Sequence, residues 1–561
     1  MFSSFFKLIS LLFYRNTSSS KNTDVISKSV LIKSGSPAIY QLKPKKEDIQ
    51  PLRTKAVNIR SLKRMTLGKK NPNKINKTIL LVGETGAGKS TLINALVNYA
   101  LGVEWEDDVW FQIVEEEERS QVTSQKSDVI VYQIFGFEDK PLPYSLTIID
   151  TPGYGSTDGI RQDDIISQRL FDLFHSDDGV HEIDAVGLVL KASVIRLNDR
   201  LRYIFDSVVS LFGKDLEKNI VALITHSDGV TPKNALEALK AAKIKCARNE
   251  NNQPVHFLFN NCQDEDRTED IRALKHADEI TTEGLSQFTD LLGKNAPQKL
   301  EKTVGVLEER IKLTACIQNL QDRTELIDLK QTEIQQTQEA LKKHEEEMKN
   351  NEKFTVEVDV VYKDKEPIDG GMWCFMFYEA ATCCTVCEEN CHYPGCTMAW
   401  KPGHCEVIKD GRCTSCTRKC PVSDHVKENW KYVNKTRKVQ KTLEDVKAKY
   451  EKNKEESEKK ESLLKTLQKE METLEAKKTA LVDEAYQHVV KLEQIALKVY
   501  AASTQDHLDF LIEKMKEKGD TEKKKKLEEM KSQIDNEEGI QAALCYGLSK
   551  LTSAGKAKQK N

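Results

Sequence analysis

The sequence predicts an α/β domain with a mostly parallel sheet, followed by an all-α coiled-coil arm that carries a cysteine-rich tip. Three observations lead to this fold class. Strand-type and helix-type segments alternate from residue 76 to residue 297, which is typical of a parallel sheet covered by helices. Beyond this range apolar residues recur with heptad spacing. Finally, ten of the 14 cysteines lie between Cys374 and Cys420.

At 561 residues the chain is too long for one hydrophobic core, so several structural units are expected. Their predicted boundaries follow the changes in pattern along the chain. The predicted units are an N-terminal arm or linker at 1–75, a nucleotide-binding α/β domain at 76–297, a first coiled-coil arm at 298–353, a cysteine-rich insert at 354–425, a second coiled-coil arm at 426–481, and a C-terminal helical region with a disordered tail at 482–561.

The most specific motif lies at the end of the first strand predicted for the α/β domain, where residues 78–91 read TILLVGETGAGKST. It fits the phosphate-binding loop G-x-x-x-x-G-K-[ST] and lies between a strand and a helix, as that motif requires. Glycines let the backbone wrap around an anion, and helix N-terminal amides point at it. Lys89 is predicted to neutralise phosphate oxygens, and the Ser90 hydroxyl to bind Mg²⁺. The predicted nucleotide-contacting residues of this loop are Gly83, Glu84, Thr85, Gly86, Ala87, Gly88, Lys89, Ser90 and Thr91.

A second predicted strand ends at Asp150 in the sequence DTPGYG. We expect Asp150 to reach Mg²⁺ through water and the Gly153 amide to meet the terminal phosphate. Together with the lysine and the serine of the loop, these two residues form the predicted catalytic set. A loop that senses the terminal phosphate is expected within residues 115–127, with Thr123 or Ser124 as its hydroxyl.

A later strand ends in THSD and brings Thr225, His226 and Asp228 to the edge of the predicted sheet. The Asp228 carboxylate can accept hydrogen bonds from N1 and N2 of guanine, a pair of donors that adenine lacks. The alternative is that Asp228 only caps a helix. After the strand VHFLF, Asn260 and Asn261 are predicted to close the base pocket.

The stretches ILLVGETGAGKSTLINAL, IIDTPGYGSTDG, ITHSDG and FNN resemble the immune-associated nucleotide-binding and septin-like branch of the translation-factor-class GTPases. This resemblance implies a P-loop G domain that binds GTP and Mg²⁺. His226 stands where most such proteins have lysine. Tyr154 stands where small GTPases place a water-orienting glutamine, so slow hydrolysis is expected. Relatives of this kind often act as nucleotide-dependent dimers, so we expect a homodimer or oligomer through the G domain.

Cysteine and histidine dominate the insert, whose two C-x-x-C pairs have the spacing at which two thiolates grip one tetrahedral ion. Zinc is the predicted metal, and the site is expected to be structural. Disulfides and reduced thiols remain alternatives. The candidate zinc ligands are Cys384, Cys387, Cys391, His392, Cys396, Cys405, Cys413, Cys416, Cys420 and His425.

Two heptad seams flank the insert, starting at Leu313 and at Tyr432. Their similar lengths favour one antiparallel hairpin with the insert at its tip, and the alternative is two helices that each pair with another chain. Protein partners are expected on such a coiled coil. Apolar residues within 2–14 can share one helical face, which indicates an interfacial membrane helix, whereas a disordered terminus is the alternative.

Charged residues make up 31 % of the chain, but the net charge is only −3, so no nucleic-acid partner is expected. We expect a cytoplasmic protein, with membrane association if the N-terminal helix forms. The leading hypothesis is a slow GTPase that acts as a dimerisation or assembly switch with a coiled-coil lever. The alternatives are an ATP-driven mechanical coiled-coil protein with a zinc-bound tip, and a nucleotide-bound scaffold with little turnover.

Overall fold

The structure, a computed structural model, describes residues 22–49, 62–115, 129–152, 160–195, 199–343, 355–368, 380–393, 396, 401–442, 456–499 and 505–535. Two compact units divide these residues. The first holds the described residues up to Leu307 together with 495–499 and 532–535, and the second holds those in 308–494 and 505–531.

The first unit alternates strands and helices over most of its length. Its strands are β1 (Val30–Lys33), β2 (Ala38–Gln41), β3 (Lys45–Ile49), β4 (Leu62–Leu67), β5 (Asn76–Gly83), β6 (Val109–Gln112), β7 (Ile130–Ile134), β8 (Ser145–Asp150), β9 (Glu182–Ile183), β10 (Ala185–Lys191), β11 (Ile220–Thr225), β12 (His256–Leu258) and β13 (Gln298–Lys299). Its helices are α1 (Thr23–Ser27), α2 (Lys89–Leu101), α3 (Ile160–His175), α4 (Asp199–Val209), α5 (Lys233–Ala241) and α6 (Ile271–Lys294). Short 3₁₀ turns cover Trp105–Asp107 and Lys214–Asn219.

The central sheet has eight strands in the order β12-β11-β10-β5-β8-β7-β4-β3. The five strands from β12 to β8 run parallel, while β7 pairs antiparallel with β8, and β3 antiparallel with β4. The predicted α/β domain with a mostly parallel sheet is confirmed. A separate sheet of β1, β2 and β6 lies in the same unit.

Both faces of the central sheet are covered by helices, and β5 shows this most directly. Ile79 and Leu81 belong to one buried cluster with residues of α2 and α6. Leu80 and Val82 belong to a second cluster with residues of α3, α4 and α5. Because successive side chains of a strand point to opposite faces, a strand buried on both faces reads as a continuous apolar run.

The prediction of a linker at 1–75 needs correction, because strands precede residue 76. Within 1–75 the structure places β1 to β4, and β3 and β4 extend the central sheet beyond β7. The pairing of β4 with β7 is parallel, with Met65 opposite Tyr132. Strands β3 and β4 were not recognised because charged residues interrupt their apolar pattern, as is common at the edge of a sheet, where β3 lies. Residues 2–14, with the predicted interfacial helix, lie outside the described residues.

The second unit is largely helical and contains the cysteine cluster, in agreement with the predicted fold class. Its helices are α7 (Glu301–Lys343), which begins in the first unit, α8 (Glu456–Ile495), α9 (Gln505–Lys518) and α10 (Thr521–Asp535). Its strands are β14 (Thr355–Pro367), β15 (Ala381–Cys384), β16 (Glu389–His392), β17 (Ile408–Lys409), β18 (Arg412–Cys413), β19 (His425–Glu428) and β20 (Trp430–Thr442). Short 3₁₀ turns cover Pro402–His404 and Val422–Asp424.

Part of the predicted second coiled-coil arm is a strand. Residues 430–442 form β20, which pairs antiparallel with β14 along its whole length, from Pro367 opposite Trp430 to Thr355 opposite Thr442. The helical prediction for this stretch, within 426–481, is therefore wrong. The aromatic and β-branched residues that formed the start of the heptad seam are strong strand formers, and pairing with β14 decides the conformation.

Helices α7 and α8 run antiparallel in the second unit, since Glu309 contacts His488 and Cys316 contacts Leu481. The cysteine-rich segment lies along these helices, which differs from the predicted position at the end of an arm. Its side chains and Val407 form a small buried core with Ala315 of α7. Among the described residues, none of the helices has the length and apolar character needed to cross a bilayer.

Candidate functional site

The carboxyl ends of the parallel strands bring the predicted nucleotide-binding segments to one edge of the sheet. Gly83 at the end of β5 lies opposite Val189, and Asp150 at the end of β8 lies opposite Leu81. Thr225 at the end of β11 pairs with Lys191 of β10. This edge is where parallel α/β sheets bind their ligands.

The phosphate-binding loop leads directly from β5 into α2. Gly86 and Gly88 adopt φ values of 79° and 92°, which only glycine tolerates well, and Gly88 is the N-cap of α2. Gly88 cannot cap the helix with a side chain, so the first amides of α2 remain available to an anion. The side chain of Lys89 is buried, and its Nζ donates hydrogen bonds to the carbonyls of Gly83 at 2.8 Å and Glu84 at 3.1 Å.

The remaining loop residues surround this turn. Ala87 is buried, Glu84, Ser90 and Thr91 are half-buried, and Thr85 is exposed. Ser90 occupies the first turn of α2, as the predicted Mg²⁺ ligand requires.

Asp150 is buried at the end of β8, next to β5. The residue after it, Thr151, donates a hydrogen bond from Oγ1 to the carbonyl of Leu81 at 2.8 Å, which fastens this segment to β5. Thr151 was not among the predicted site residues, although it is the second residue of the DTPG motif. Four further predicted residues lie outside the described part of the chain: Thr123, Ser124, Gly153 and Tyr154.

Thr225 connects the predicted base-recognition segment to the phosphate-binding loop. Its buried Oγ1 donates to the carbonyl of Ala87 at 2.7 Å. His226 follows with a φ of 53°, and its Nδ1 lies 3.1 Å from Thr225 Oγ1. Burial, and then the positive charge of Lys191, hold the pKa of His226 below its usual value, which favours the neutral imidazole.

Asp228 is exposed at this edge and does not cap a helix. Its Oδ1 accepts the backbone N–H of Val230 at 3.0 Å in a tight turn. Ser227, between it and His226, is buried and donates its backbone N–H to the carbonyl of Phe259 at 3.0 Å. The turn that presents Asp228 is therefore tied to the end of the β12 segment.

Asn260 and Asn261 follow directly and are half-buried. The Asn260 amide donates to Thr281 Oγ1 at 3.0 Å, and Thr281 Oγ1 lies 3.4 Å from Asn261 Oδ1. Thr281 of α6 thus positions both asparagines. Thr281 was not predicted as a site residue, because a threonine within a helix carries no local signature of this role.

All ten predicted zinc-ligand residues come together in the second unit as three groups, and in each group the candidate ligand atoms lie within 4.8 Å of one another. Group A contains Cys384, Cys387, Cys416 and Cys420. Group B contains Cys391, Cys413, Cys416 and His425. Group C contains His392, Cys396, Cys405 and Glu406. Glu406 was not predicted, and its only signal is its position directly after Cys405.

The thiols of these groups have strongly altered acidity. Burial raises the pKa of Cys384 and of Cys387 to about 12, so these two remain thiols at neutral pH without a cation. Hydrogen bonds from Cys391 and Cys413 hold the pKa of Cys416 well below its usual value. A bound metal ion would deprotonate coordinating thiols outright.

The fold and the phosphate loop define a P-loop α/β domain, and comparison with known proteins refines this class. Residues 77–284 match the AIG1 family. Bovine septin-2 is 28 % identical over 245 residues, which cover 40 % of this chain and 61 % of septin-2. The chain thus spans less than two thirds of that curated relative.

Similar solved structures include Toc33 from Arabidopsis thaliana in complex with GDP and Mg²⁺, at 17 % identity and a TM-score of 0.28, covering 40 % of this chain and 86 % of Toc33. The bacterial dynamin GTPase LeoA from ETEC matches at 13 % identity and a TM-score of 0.22, covering 49 % of this chain and 47 % of LeoA. The α/β domain of this chain is thus similar in sequence to the AIG1 family and to septin-2.

Proposed function

We propose that the chain binds GTP with Mg²⁺ at the carboxyl edge of the central sheet and hydrolyses it slowly. The observation that carries the proposal is the hydrogen bond from Thr225 to Ala87, which joins the candidate guanine segment to the phosphate-binding loop. The phosphate-binding loop follows β5 and the base segment follows β11, with β10 between them in the sheet, and this hydrogen bond supports a single site formed by both.

The chemistry of the phosphate end rests on the loop itself. Amides at the start of α2 and the Lys89 ammonium face an anion, and Lys89 exchanges its two carbonyl partners for phosphate oxygens. A side chain at Gly86 would meet no atom within 4 Å, so the space next to this part of the loop is open. Ser90 and Asp150 would hold Mg²⁺, which neutralises charge that develops during attack of water on the terminal phosphate.

We assign the selection of guanine over adenine to Asp228. Its exposed carboxylate stands in a turn that projects from the same edge, and guanine offers it two donors. His226, Asn260 and Asn261 would line the base pocket.

Control of activity by self-association is the second part of the proposal. Dimerization is important for the GTPase activity of the chloroplast translocon components atToc33 and psToc159. For this chain, the support is Tyr154, because a phenol cannot orient water as a glutamine carboxamide does. We propose that contact between two G domains completes the site, and that the helical second unit transmits the change.

We further propose that the cysteine-rich segment binds zinc as a structural metal. The support is the close grouping of buried thiols and imidazoles, the donor types that closed zinc sites use.

The decisive test is a variant that should change the preferred base from guanine to xanthine. Asp228→Asn replaces an acceptor by a side chain that can donate to the 2-carbonyl of xanthine. We expect the variant to lose at least tenfold in affinity for GDP and to gain affinity for xanthosine diphosphate. Asp266→Asn is the matched control, because Asp266 is also exposed and accepts a backbone amide in the same kind of turn, from Thr268 at 2.9 Å. Unchanged GDP affinity in Asp228→Asn would refute the assignment.

Assembly and turnover need a separate measurement on the full chain. We expect a larger particle with a non-hydrolysable GTP analogue than with GDP, measured by sedimentation. Phosphate release with excess GTP should rise with protein concentration. Equal size in both nucleotide states contradicts the switch, and binding without measurable phosphate release supports a scaffold instead.

A further inference from the structure

We infer that the cysteine-rich segment holds three zinc ions, two of them in a binuclear centre bridged by the Cys416 thiolate, and the third in a separate site that uses Glu406. Cys384, Cys387 and Cys420 complete one half of the binuclear centre, and Cys391, Cys413 and His425 complete the other. The inference rests on the proposed zinc binding and adds the number of ions and their connection.

The shared position of Cys416 carries this inference. Its Sγ lies within 4.8 Å of the ligand atoms of both group A and group B. Two tetrahedral ions need eight ligand positions, whereas the two groups together offer seven side chains. One thiolate that binds both ions supplies the missing position, and Cys416 is the only side chain common to the two groups.

Backbone amides already point at the sulfur atoms of this centre. The amide of Cys387 donates to Cys384 Sγ at 3.3 Å, and that of Cys416 donates to Cys413 Sγ at 3.2 Å. The amide of Cys420 donates to Cys416 Sγ at 3.2 Å. Such bonds stabilise sulfur that carries negative charge, as metal-bound thiolates do, and they orient it toward the ion.

His425 provides independent evidence for a ligand. Its Nδ1 lies 2.9 Å from the carbonyl of Pro421, so Nδ1 carries the proton that it donates there. Its Nε2 is buried and has no hydrogen-bond partner among the described residues. A histidine whose one ring N–H donates to a backbone carbonyl, and whose other ring nitrogen carries a free lone pair, is in the state that binds metal.

The distances between sulfur atoms fit coordination of one metal ion by two thiolates better than they fit a disulfide bond. Two sulfurs bound to one tetrahedral ion, each at about 2.3 Å, lie about 3.8 Å apart. Cys387 and Cys420 have their Sγ atoms 3.7 Å apart, and Cys396 and Cys405 have theirs 3.6 Å apart. A disulfide requires about 2.05 Å.

The third site differs from the others in its charge and ligands. His392 Nδ1 lies 3.1 Å from Glu406 Oε2 and 3.2 Å from Cys405 Sγ. Two thiolates and one carboxylate leave a net charge of −1 around a divalent ion. The Lys427 ammonium, 2.6 Å from Cys396 Sγ, offsets that charge. With a divalent cation bound, the positive and negative charges of this site therefore balance.

The bridge can be tested on the unaltered full chain. Purified protein is exchanged into ¹¹³Cd²⁺, which takes zinc positions and reports its ligands by NMR. We expect three cadmium resonances, two of which are split by coupling to each other through the shared sulfur, and a third that is unsplit. Three unsplit resonances would refute the bridge. Absence of bound metal in the zinc-grown protein would refute zinc binding itself, and with it this inference.

Variants provide a second measurement, with zinc counted by elemental analysis. Cys416→Ser should lower the content from three ions to one, whereas Cys387→Ser should lower it only to two. Cys383→Ser is the matched control, because Cys383 is buried beside Cys384 but belongs to none of the three groups, and it should keep three ions. Glu406→Ala should lose one ion and retain the split pair of cadmium resonances. Equal losses in Cys416→Ser and Cys387→Ser would contradict a shared ligand.

Discussion

Replacement of Gly86 by alanine separates the role of the phosphate loop in nucleotide binding from its role in folding. Gly86 has a φ of 79°, and a Cβ built there meets no atom within 4 Å. The cost to folding is therefore backbone strain alone, about 1–2 kcal/mol for an L-residue in the left-handed region. For a domain of this size, that lowers the melting temperature by about 2–8 °C.

The effect of Gly86→Ala on binding should be larger than its effect on folding. The new methyl group occupies open space beside the loop, and the proposed site places the phosphates against the same loop. Displacement of one phosphate contact costs at least about 1.4 kcal/mol, or tenfold in affinity. We expect GDP affinity to fall tenfold or more, measured by titration with a fluorescent GDP analogue on the full chain.

Two comparison variants make the prediction specific. Gly519→Ala imposes the same strain at a φ of 77° in open space outside the loop, so it should leave GDP affinity unchanged. Gly83→Ala places its Cβ 2.5 Å from the carbonyl oxygen of Val189 on the neighbouring strand. Because a strand backbone cannot move aside cheaply, we expect about 3 kcal/mol or more of destabilisation. Wild-type GDP affinity in Gly86→Ala, or wild-type stability in Gly83→Ala, would refute the reasoning.

Two further predictions concern stability and turnover. Glu309 is buried and accepts hydrogen bonds from His488, Lys491 and Lys312 at 2.7–2.9 Å. Although burial opposes it, these bonds hold the pKa of Glu309 well below its usual value of 4.5. Its stabilisation is complete above that value and is lost as the pH falls below it, so Glu309→Gln should cost about 2 kcal/mol at pH 7 and progressively less toward pH 3 in denaturant titrations; a cost that does not change with pH would contradict this. Tyr154→Gln should raise the rate of phosphate release at low protein concentration at least tenfold, and an unchanged rate would show that this position does not limit hydrolysis.

The parts of the fold that the sequence predicted well are those buried on both sides. Helix α2 follows the phosphate-binding loop, and β8 ends at Asp150, as the sequence predicts. Here the apolar run, the glycine-rich turn and the helical spacing all indicate the same structure, so local and tertiary preferences agree. The edge strand β3 and its neighbour β4 lack such a run, because both carry charged residues that stay at least partly exposed.

Residues 430–442 show why heptad spacing alone was not sufficient. Tyr432, Thr436 and Val439 satisfy the helical period, but each is also a strand former. The outcome depends on pairing with residues 355–367, which lie far away in sequence. Pairing between distant segments leaves no trace in a local pattern.

Candidate site residues were predictable where a motif places several chemical groups at fixed spacing. Lys89, Asp150 and Asp228 belong to such motifs. Thr281 and Glu406 do not, and Thr151 was not predicted although it lies in the DTPG motif, because each acts by contacting a residue that only the folded chain brings near. Nearly all candidate metal ligands were found because cysteine and histidine rarely cluster without a reason, whereas a glutamate in a chain rich in charge carries no such signal.

The contacts around the phosphate loop bear on how nucleotide would bind. Lys89 is held by carbonyls of its own loop, and Thr225 and Thr151 fasten the loop and its neighbouring strands. In the proposed site, Lys89 exchanges these neutral carbonyls for phosphate oxygens, which adds the attraction between opposite charges to each hydrogen bond. We therefore expect the phosphates and Asp228 to contribute most of the affinity for nucleotide.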